Sequence, residues 1–186
     1  MSFRIKTTLQ AALVCSALAG GSALHAATNM SNDDYKAAKD RIEAEYKAQK
    51  DSCDKLKDNA KDVCREEAKG KEKVARAELE FNRTGDPKDS AKLAMAKADA
   101  AYEVAKEKCD DRSGNDKDVC VKEAKANHTK ATADAKANKK VAEVRKDAAE
   151  DKRDASYNLA KEKCDALSGD SKSQCLATAK ARYGKS

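Results

Sequence analysis

Cysteine is the residue type of this chain that is best placed to do chemistry. The sequence holds seven cysteines, and six of them form three pairs with identical spacing: Cys53 and Cys64, Cys109 and Cys120, and Cys164 and Cys175. Paired thiols can form disulfides or hold zinc, and an even, regularly spaced set in an exported chain is typical of disulfides. We therefore predict that these six residues are oxidised.

No other group of side chains resembles a reactive centre. His128 is the one histidine beyond the N-terminal segment, on a predicted solvent-facing helix without a second histidine or a suitably placed cysteine. The acidic stretch Asp110, Asp111, Asn115, Asp116 and Asp118 suggests calcium, but it lacks the spacing and central glycine of an EF-hand loop. A glycine-rich phosphate loop and a nucleophile motif are also missing. We expect no enzymatic activity, no cofactor and no bound metal.

The first 26 residues have the pattern of a secretory signal. Arg4 and Lys6 precede an apolar stretch at 11–19, and small residues lead to an expected cleavage after Ala26. The apolar stretch is shorter than the roughly 20 residues that a transmembrane helix requires. Cleavage would also remove the unpaired Cys15. We therefore expect a periplasmic or secreted chain without a membrane span.

The composition favours helices with a solvated surface. Charged residues make up 39% of the chain and aromatic residues 4%. Alanine dominates the apolar residues and has the highest helix propensity, whereas runs of β-branched and aromatic residues, which favour strands, are missing. The formal net charge of +6 falls by two with the signal. Acids and bases alternate, with pairs such as Glu67/Lys71 at helical spacing, which leaves no basic face for nucleic acid.

The cysteine pairs belong to a repeat of about 55 residues, which indicates a repeat architecture. A tyrosine precedes the first cysteine of each pair by two helical turns, and an alanine follows the second cysteine by four residues: Tyr46, Tyr102, Tyr157, Ala68, Ala124 and Ala179. Ala98 and Ala91 continue the stripe of Tyr102, as an inward-facing seam requires. We expect the tyrosines to pack between helices, although a tyrosine stripe can also stack on a ligand.

Turn residues lie midway between the paired cysteines. Gly114 and Gly169 suit the left-handed position that ends a helix, and Asn115 and Asp170 suit the N-cap of the next helix. The first repeat has Asp58-Asn59 instead, which is a less ideal turn. This pattern predicts three helical hairpins, each closed by its own disulfide.

The alternative is one long helix through each repeat. It would separate the paired cysteines by about 16 Å along the axis. A disulfide needs Cα atoms within about 7 Å, so the cysteines could then bond only between chains.

The predicted organisation is an elongated up-and-down array. Gly85-Asp86-Pro87 should end one helix and start another, whereas the junction near Asn138 lacks glycine and proline. We predict a signal peptide at 1–26 and hairpin repeats at 27–85, 86–139 and 140–186. The six helices would be 31–57, 60–84, 87–113, 116–137, 140–168 and 171–183, with all three disulfides at one end. A single helix from about 116 to 167 remains open.

The repeat resembles small exported proteobacterial proteins that are often labelled TolA-like and have no established activity. The resemblance rests on the Tyr-x6-Cys-x10-Cys-x3-Ala pattern, on Asp-Arg-Ile-Glu-Ala-Glu-Tyr at 40–46 and on Lys-Asp-Val-Cys at 117–120. The composition is also similar to the long helical region of TolA. We find no counterpart of the membrane anchor and C-terminal domain of TolA, so we do not extend a Tol-system role to this chain.

These features favour a non-enzymatic structural or interaction protein of the cell envelope, with envelope proteins or the cell wall as partners. The alternatives are a stress-protective, chaperone-like protein and a weak metal-cation binder at the acidic hairpin tips. The oligomeric state stays open.

Overall fold

The chain forms helices throughout the region that the structure describes. A computed structural model describes residues 30–185, which hold five α-helices and no strand. Their bounds are α1 Asn32–Cys53, α2 Asp58–Thr84, α3 Pro87–Cys109, α4 Gly114–Asp165 and α5 Gly169–Tyr183. The predicted all-α fold is confirmed, whereas the predicted signal at 1–26 lies outside the described residues.

Local capping signals set the helix ends between the first and second hairpins. Gly85 adopts a left-handed φ of 61° after α2 and donates its N–H to the carbonyl of Phe81. The Asp86 side chain accepts a hydrogen bond from the N–H of Lys88, and Pro87 begins α3. The stop and restart predicted at these residues is confirmed.

Each cysteine pair closes a hairpin. The Cα atoms lie 5.5 Å apart for Cys53 and Cys64, 5.7 Å for Cys109 and Cys120, and 5.6 Å for Cys164 and Cys175. These distances suit a disulfide and reject the model of one long helix through each repeat. The disulfide-closed hairpin is therefore the repeating unit of the fold.

The turn between paired helices differs from the predicted one. A left-handed residue is the first residue of the second helix: Asp58 with φ 52°, Gly114 with φ 54° and Gly169 with φ 59°. The N-caps are Ser113 and Ser168 in extended conformation, not Asn115 and Asp170. Because the left-handed residue itself redirects the chain, each of these helices begins two residues earlier than a cap at the next position would allow.

The predicted break near Asn138 is absent, so six helices were one too many for this part of the chain. α4 runs through 52 residues, and the predicted repeat boundary at 139/140 falls inside it. The bond between Cys164 and Cys175 therefore lies about 66 Å along α4 from Cys120, at a rise of about 1.5 Å per residue. The prediction that all three disulfides share one end is wrong.

The helices form an open layer. Within residues 30–185, each helix contacts only its neighbours in sequence: α1 with α2, α2 with α3, α3 with α4, and α4 with α5. Gly70 of α2 lies so close to α3 that a Cβ there would come within 2.8 Å of Ala100 Cβ. All but one of the buried apolar residues in this region are alanine or cysteine, the exception being Leu79: Cys53, Ala68, Leu79, Ala91, Ala98, Cys109, Ala124, Ala135, Cys164 and Ala179.

Candidate functional site

The six predicted disulfide residues meet in three pairs, but the two members of a pair are not equally covered. The repeat pattern gives no reason to expect a difference between them. In the structure the first cysteine of each pair is fully buried, with 1% of Cys53, 0% of Cys109 and 1% of Cys164 exposed. The second cysteine of each pair is only half-buried, and these residues are Cys64, Cys120 and Cys175. The second cysteine of each pair is therefore the more accessible residue of the two.

Cys64 bonds to Cys53 although the turn before it lacks glycine. α2 begins at Asp58, two residues before the predicted start at 60, so Cys64 lies in the second turn of this helix. Its Cα lies 5.5 Å from that of Cys53, no farther than in the two hairpins that have glycine. Both residues line a shallow gap of about 270 Å³ between α1 and α2. The less ideal turn therefore does not change the geometry of the first pair.

Each hairpin tip is closed by an ion pair as well as a disulfide. The aspartate after the first cysteine faces a lysine seven residues later, at 3.3 Å for Asp54–Lys61, 3.0 Å for Asp110–Lys117 and 3.0 Å for Asp165–Lys172. The sequence carries this signal, because Asp and Lys occupy the same two positions in all three repeats. We did not predict these ion pairs.

The first tip has a further cation. Arg65 donates to Asp54 Oδ1 at 2.6 Å. Hydrogen bonds from Arg65 and from Lys61 lower the pKa of the Asp54 carboxyl below its ordinary value. The charged carboxylate therefore stabilises this tip.

The acidic residues of the second tip do not converge on a point. Asp110 is bound to Lys117, and Asp111, Asp116 and Asp118 are exposed. No group of three or more His, Cys, Asp or Glu residues that could hold a metal ion occurs between residues 30 and 185.

The repeated tyrosines pack between helices, as expected. Tyr46 is half-buried and lines a small gap between α1 and α2. The ring centroid of Tyr157 lies 6.4 Å from that of Tyr183 in α5. Tyr102 lies 5.1 Å from the ring of His128. These contacts supply the aromatic part of an otherwise alanine-rich interface.

His128 is not the free surface residue that we predicted. Its side chain is half-buried between α3 and α4, and its Nε2 lies 2.5 Å from Asp99 Oδ1. Together with the contact to Tyr102, this links the two helices midway along their interface. The sequence did not reveal the pair because its members lie on different helices.

A second polar contact lies near the start of α1. The Tyr35 hydroxyl donates to Glu80 of α2, and this hydrogen bond, followed by burial, raises the pKa of Tyr35. The Arg83 guanidinium lies 4.6 Å from the centroid of the Tyr35 ring. The contact holds the far end of α1 to α2.

A groove of about 630 Å³ runs between α2 and α3. We call it the α2–α3 groove. Its floor is apolar and made of small residues, and its rim is charged. The residues that line it are Glu67, Gly70, Lys71, Val74, Ala75, Glu78, Ala100, Ala101, Val104, Ala105 and Lys108.

None of the helices in the described part of the chain covers the middle of α4. Every residue from 144 to 153 is exposed, and Val144 has 66% of its surface accessible. We call residues 144–153 the uncovered segment. It separates the part of α4 that packs on α3 from the part that packs on α5.

No family model, curated protein or solved structure matches this chain. Between residues 30 and 185, none of the helices combines the length and apolar character needed to cross a membrane. The three disulfides fit an oxidising compartment outside the cytoplasm.

Proposed function

We propose that this chain is an exported, non-enzymatic structural or interaction protein of the cell envelope that holds two stapled contact regions apart. The observation that carries the proposal is α4, a continuous helix of 52 residues with a disulfide-closed hairpin at each end. At about 1.5 Å per residue such a helix spans roughly 78 Å, so it suits a spacer.

The thin core supports the same role. Buried residues are mostly alanine and cysteine, so the hairpins depend on covalent closure more than on apolar packing. A disulfide across a loop of this length adds about 3 kcal/mol. That chemistry requires an oxidising compartment, which agrees with a periplasmic or secreted location and with the expected signal at 1–26.

Affinity capture from envelope fractions tests the proposal. The bait is the oxidised protein. The control bait is the same protein after reduction and alkylation with a neutral reagent, which keeps the sequence and the net charge but opens the hairpins. We expect an envelope protein or a cell-wall fraction on the oxidised bait alone. Equal retention on both baits, no retention, or free thiols in the protein isolated from cells would overturn the proposal.

A chaperone-like role is the second candidate, because the surface exposes apolar side chains. Val141, Val144 and Leu159 have 48%, 66% and 59% of their surface accessible. Suppression of client aggregation at an equimolar ratio, lost when the two valines are replaced by serine, would favour this role over a spacer. Absence of suppression removes it.

A further inference from the structure

The α2–α3 groove holds two opposite charges that have no ion-pair partner between residues 30 and 185. The sequence predicted a Glu67–Lys71 pair on α2, but Glu67 instead bonds to Lys108 across the groove at 3.1 Å. Lys71 and Glu78 both line the groove and are exposed. Neither makes an ion pair within residues 30–185.

The spacing of these two charges is self-complementary. Lys71 and Glu78 are seven residues apart, which places them on one stripe of α2 about 10 Å apart along the axis. Consider a two-fold axis that lies between two copies, perpendicular to α2 and level with Val74 and Ala75. It would place a second α2 antiparallel to the first and facing it. Lys71 of each copy then faces Glu78 of the other, since a two-fold interface repeats every contact twice.

The shape of the groove suits the same partner. Its floor consists of glycine, alanine and valine, and small residues let helices approach closely. Because α1 packs only on α2, and α4 contacts α3 and α5 but not α2, none of these helices bridges α2 and α3 over the groove. If the α2–α3 helix pairs of two copies lay face to face, they would form a four-helix arrangement and bury the valines of both copies.

We propose that two copies of this chain pair through their α2–α3 grooves, with the two α2 helices antiparallel and two Lys71–Glu78 ion pairs across the interface. The pairing does not depend on the spacer function, because it uses only the groove and its charges.

Charge reversal tests the geometry directly. Lys71→Glu alone places glutamate against glutamate at both ends of the interface, and Glu78→Lys alone places lysine against lysine. We expect each to weaken dimerisation at least about tenfold. The double variant Lys71→Glu/Glu78→Lys restores both pairs and should dimerise within about threefold of the wild type. Sedimentation velocity on the oxidised protein, as purified from the producing cells, measures the association.

Two further variants distinguish a contact in the groove from an effect of net charge alone. Lys125→Glu makes the same change in net charge at an exposed residue of α4 and should leave association unchanged. Ala101→Arg fills the groove at an alanine that is itself exposed, so it should abolish dimerisation while circular dichroism shows an unchanged helix content.

The proposal fails if the wild type stays monomeric up to about 100 µM, a concentration at which even weak association is visible. It also fails if the single reversals dimerise normally, or if the double reversal does not recover. That last result, together with binding of a different protein to the wild-type groove, would assign the groove to a heterologous partner.

Discussion

The two ends of this molecule are stabilised in different ways. Of the ten buried apolar residues in the described part of the chain, eight lie in the four-helix layer formed by α1, α2, α3 and α4 up to residue 143. The C-terminal arm, formed by α4 from residue 154 and by α5, buries only Cys164 and Ala179. In the layer, α2 and α3 have a helix on either side, whereas α5 has one neighbour.

The same repeat is therefore stabilised to different degrees in the two regions. In the layer, α2 and α3 each still contact a second helix when the disulfide of their hairpin is lost. In the arm, the bond between Cys164 and Cys175, the contact of Tyr157 with Tyr183 and the 2.5 Å ion pair between Lys185 and Asp154 hold α5 to α4. The three hairpins therefore share one sequence pattern but are not equally stable.

Removal of the arm disulfide should have the largest effect. In Cys164→Ala/Cys175→Ala we expect α5 to lose its docking on α4, because the bond contributes about 3 kcal/mol and little buried area replaces it. Hydrogen exchange should show protection lost in residues 169–183 and retained in α2 and α3. The matched variant Cys109→Ala/Cys120→Ala should keep α3 and α4 protected, since His128, Asp99 and buried alanines still join them. Equal protection of α5 in both variants would contradict the comparison.

The layer has its own sensitive point at Gly70. Gly70→Val places two methyl groups where even a Cβ would be 2.8 Å from Ala100 Cβ, and overpacking of this kind costs about 1–3 kcal/mol. We expect lower stability of the layer in urea and unchanged exchange in α5. Ala126→Val, at an exposed position of α4 that does not line the α2–α3 groove, is the control. Adding Ala100→Gly to Gly70→Val should recover part of the loss, and no recovery would mean that the overlap is not the cause.

Substitutions at the left-handed turn residues should change the stability by smaller amounts, with opposite signs for glycine and for aspartate. Gly114 and Gly169 have left-handed φ and open space around a Cβ, so Gly→Ala at either costs only the backbone term, about 1 kcal/mol. Asp58 adopts the same conformation with φ 52°, so Asp58→Gly should stabilise the hairpin that Cys53 and Cys64 close by up to about 1 kcal/mol. Urea denaturation measures these changes. A destabilised Asp58→Gly would show that the aspartate at the start of α2 contributes more than its backbone costs.

The smallest effect concerns pH. The depressed pKa of Asp54 means that its contribution is present above the ordinary aspartate pKa of about 3.9. The contribution is lost as the pH falls through the folded-state value. We expect Asp54→Asn to be less stable than the wild type at neutral pH and equally stable in strong acid. Asp165→Asn, whose aspartate pairs with Lys172 and, within residues 30–185, has no arginine bound to it as Asp54 has, should lower the stability at neutral pH by less. Parallel thermal unfolding curves across pH check both.

Local signals in the sequence predicted most of the fold. The cysteine spacing, the glycines between the cysteines and the Gly85-Asp86-Pro87 junction define three hairpins, because turn chemistry acts within a few residues. The exact start of the second helix in each hairpin was missed, since a left-handed residue can either end one helix or begin the next. The unequal cover of Cys53 and Cys64 was missed as well, because cysteine spacing carries no information on which sulfur lies under the neighbouring helix.

Contacts between helices were much less predictable. Asn138 costs a helix only part of a kcal/mol, so α4 continues through it, and no pattern within a repeat reveals that outcome. The close approach of Gly70 to Ala100 and the Lys108–Glu67 pair that frees Lys71 both depend on which helix lies alongside. Such information appears only after the hairpins are placed next to each other.

The uncovered segment also sets the direction in which the arm points. Because it is helical and carries no neighbour, each residue added to it or removed from it would turn α5 by about 100° around the axis of α4. A change of seven residues would almost restore the original azimuth while altering the reach by about 10 Å. The number of residues in this segment therefore sets both the direction of the arm and the length of the molecule. Steps of seven residues change the length while almost preserving the direction.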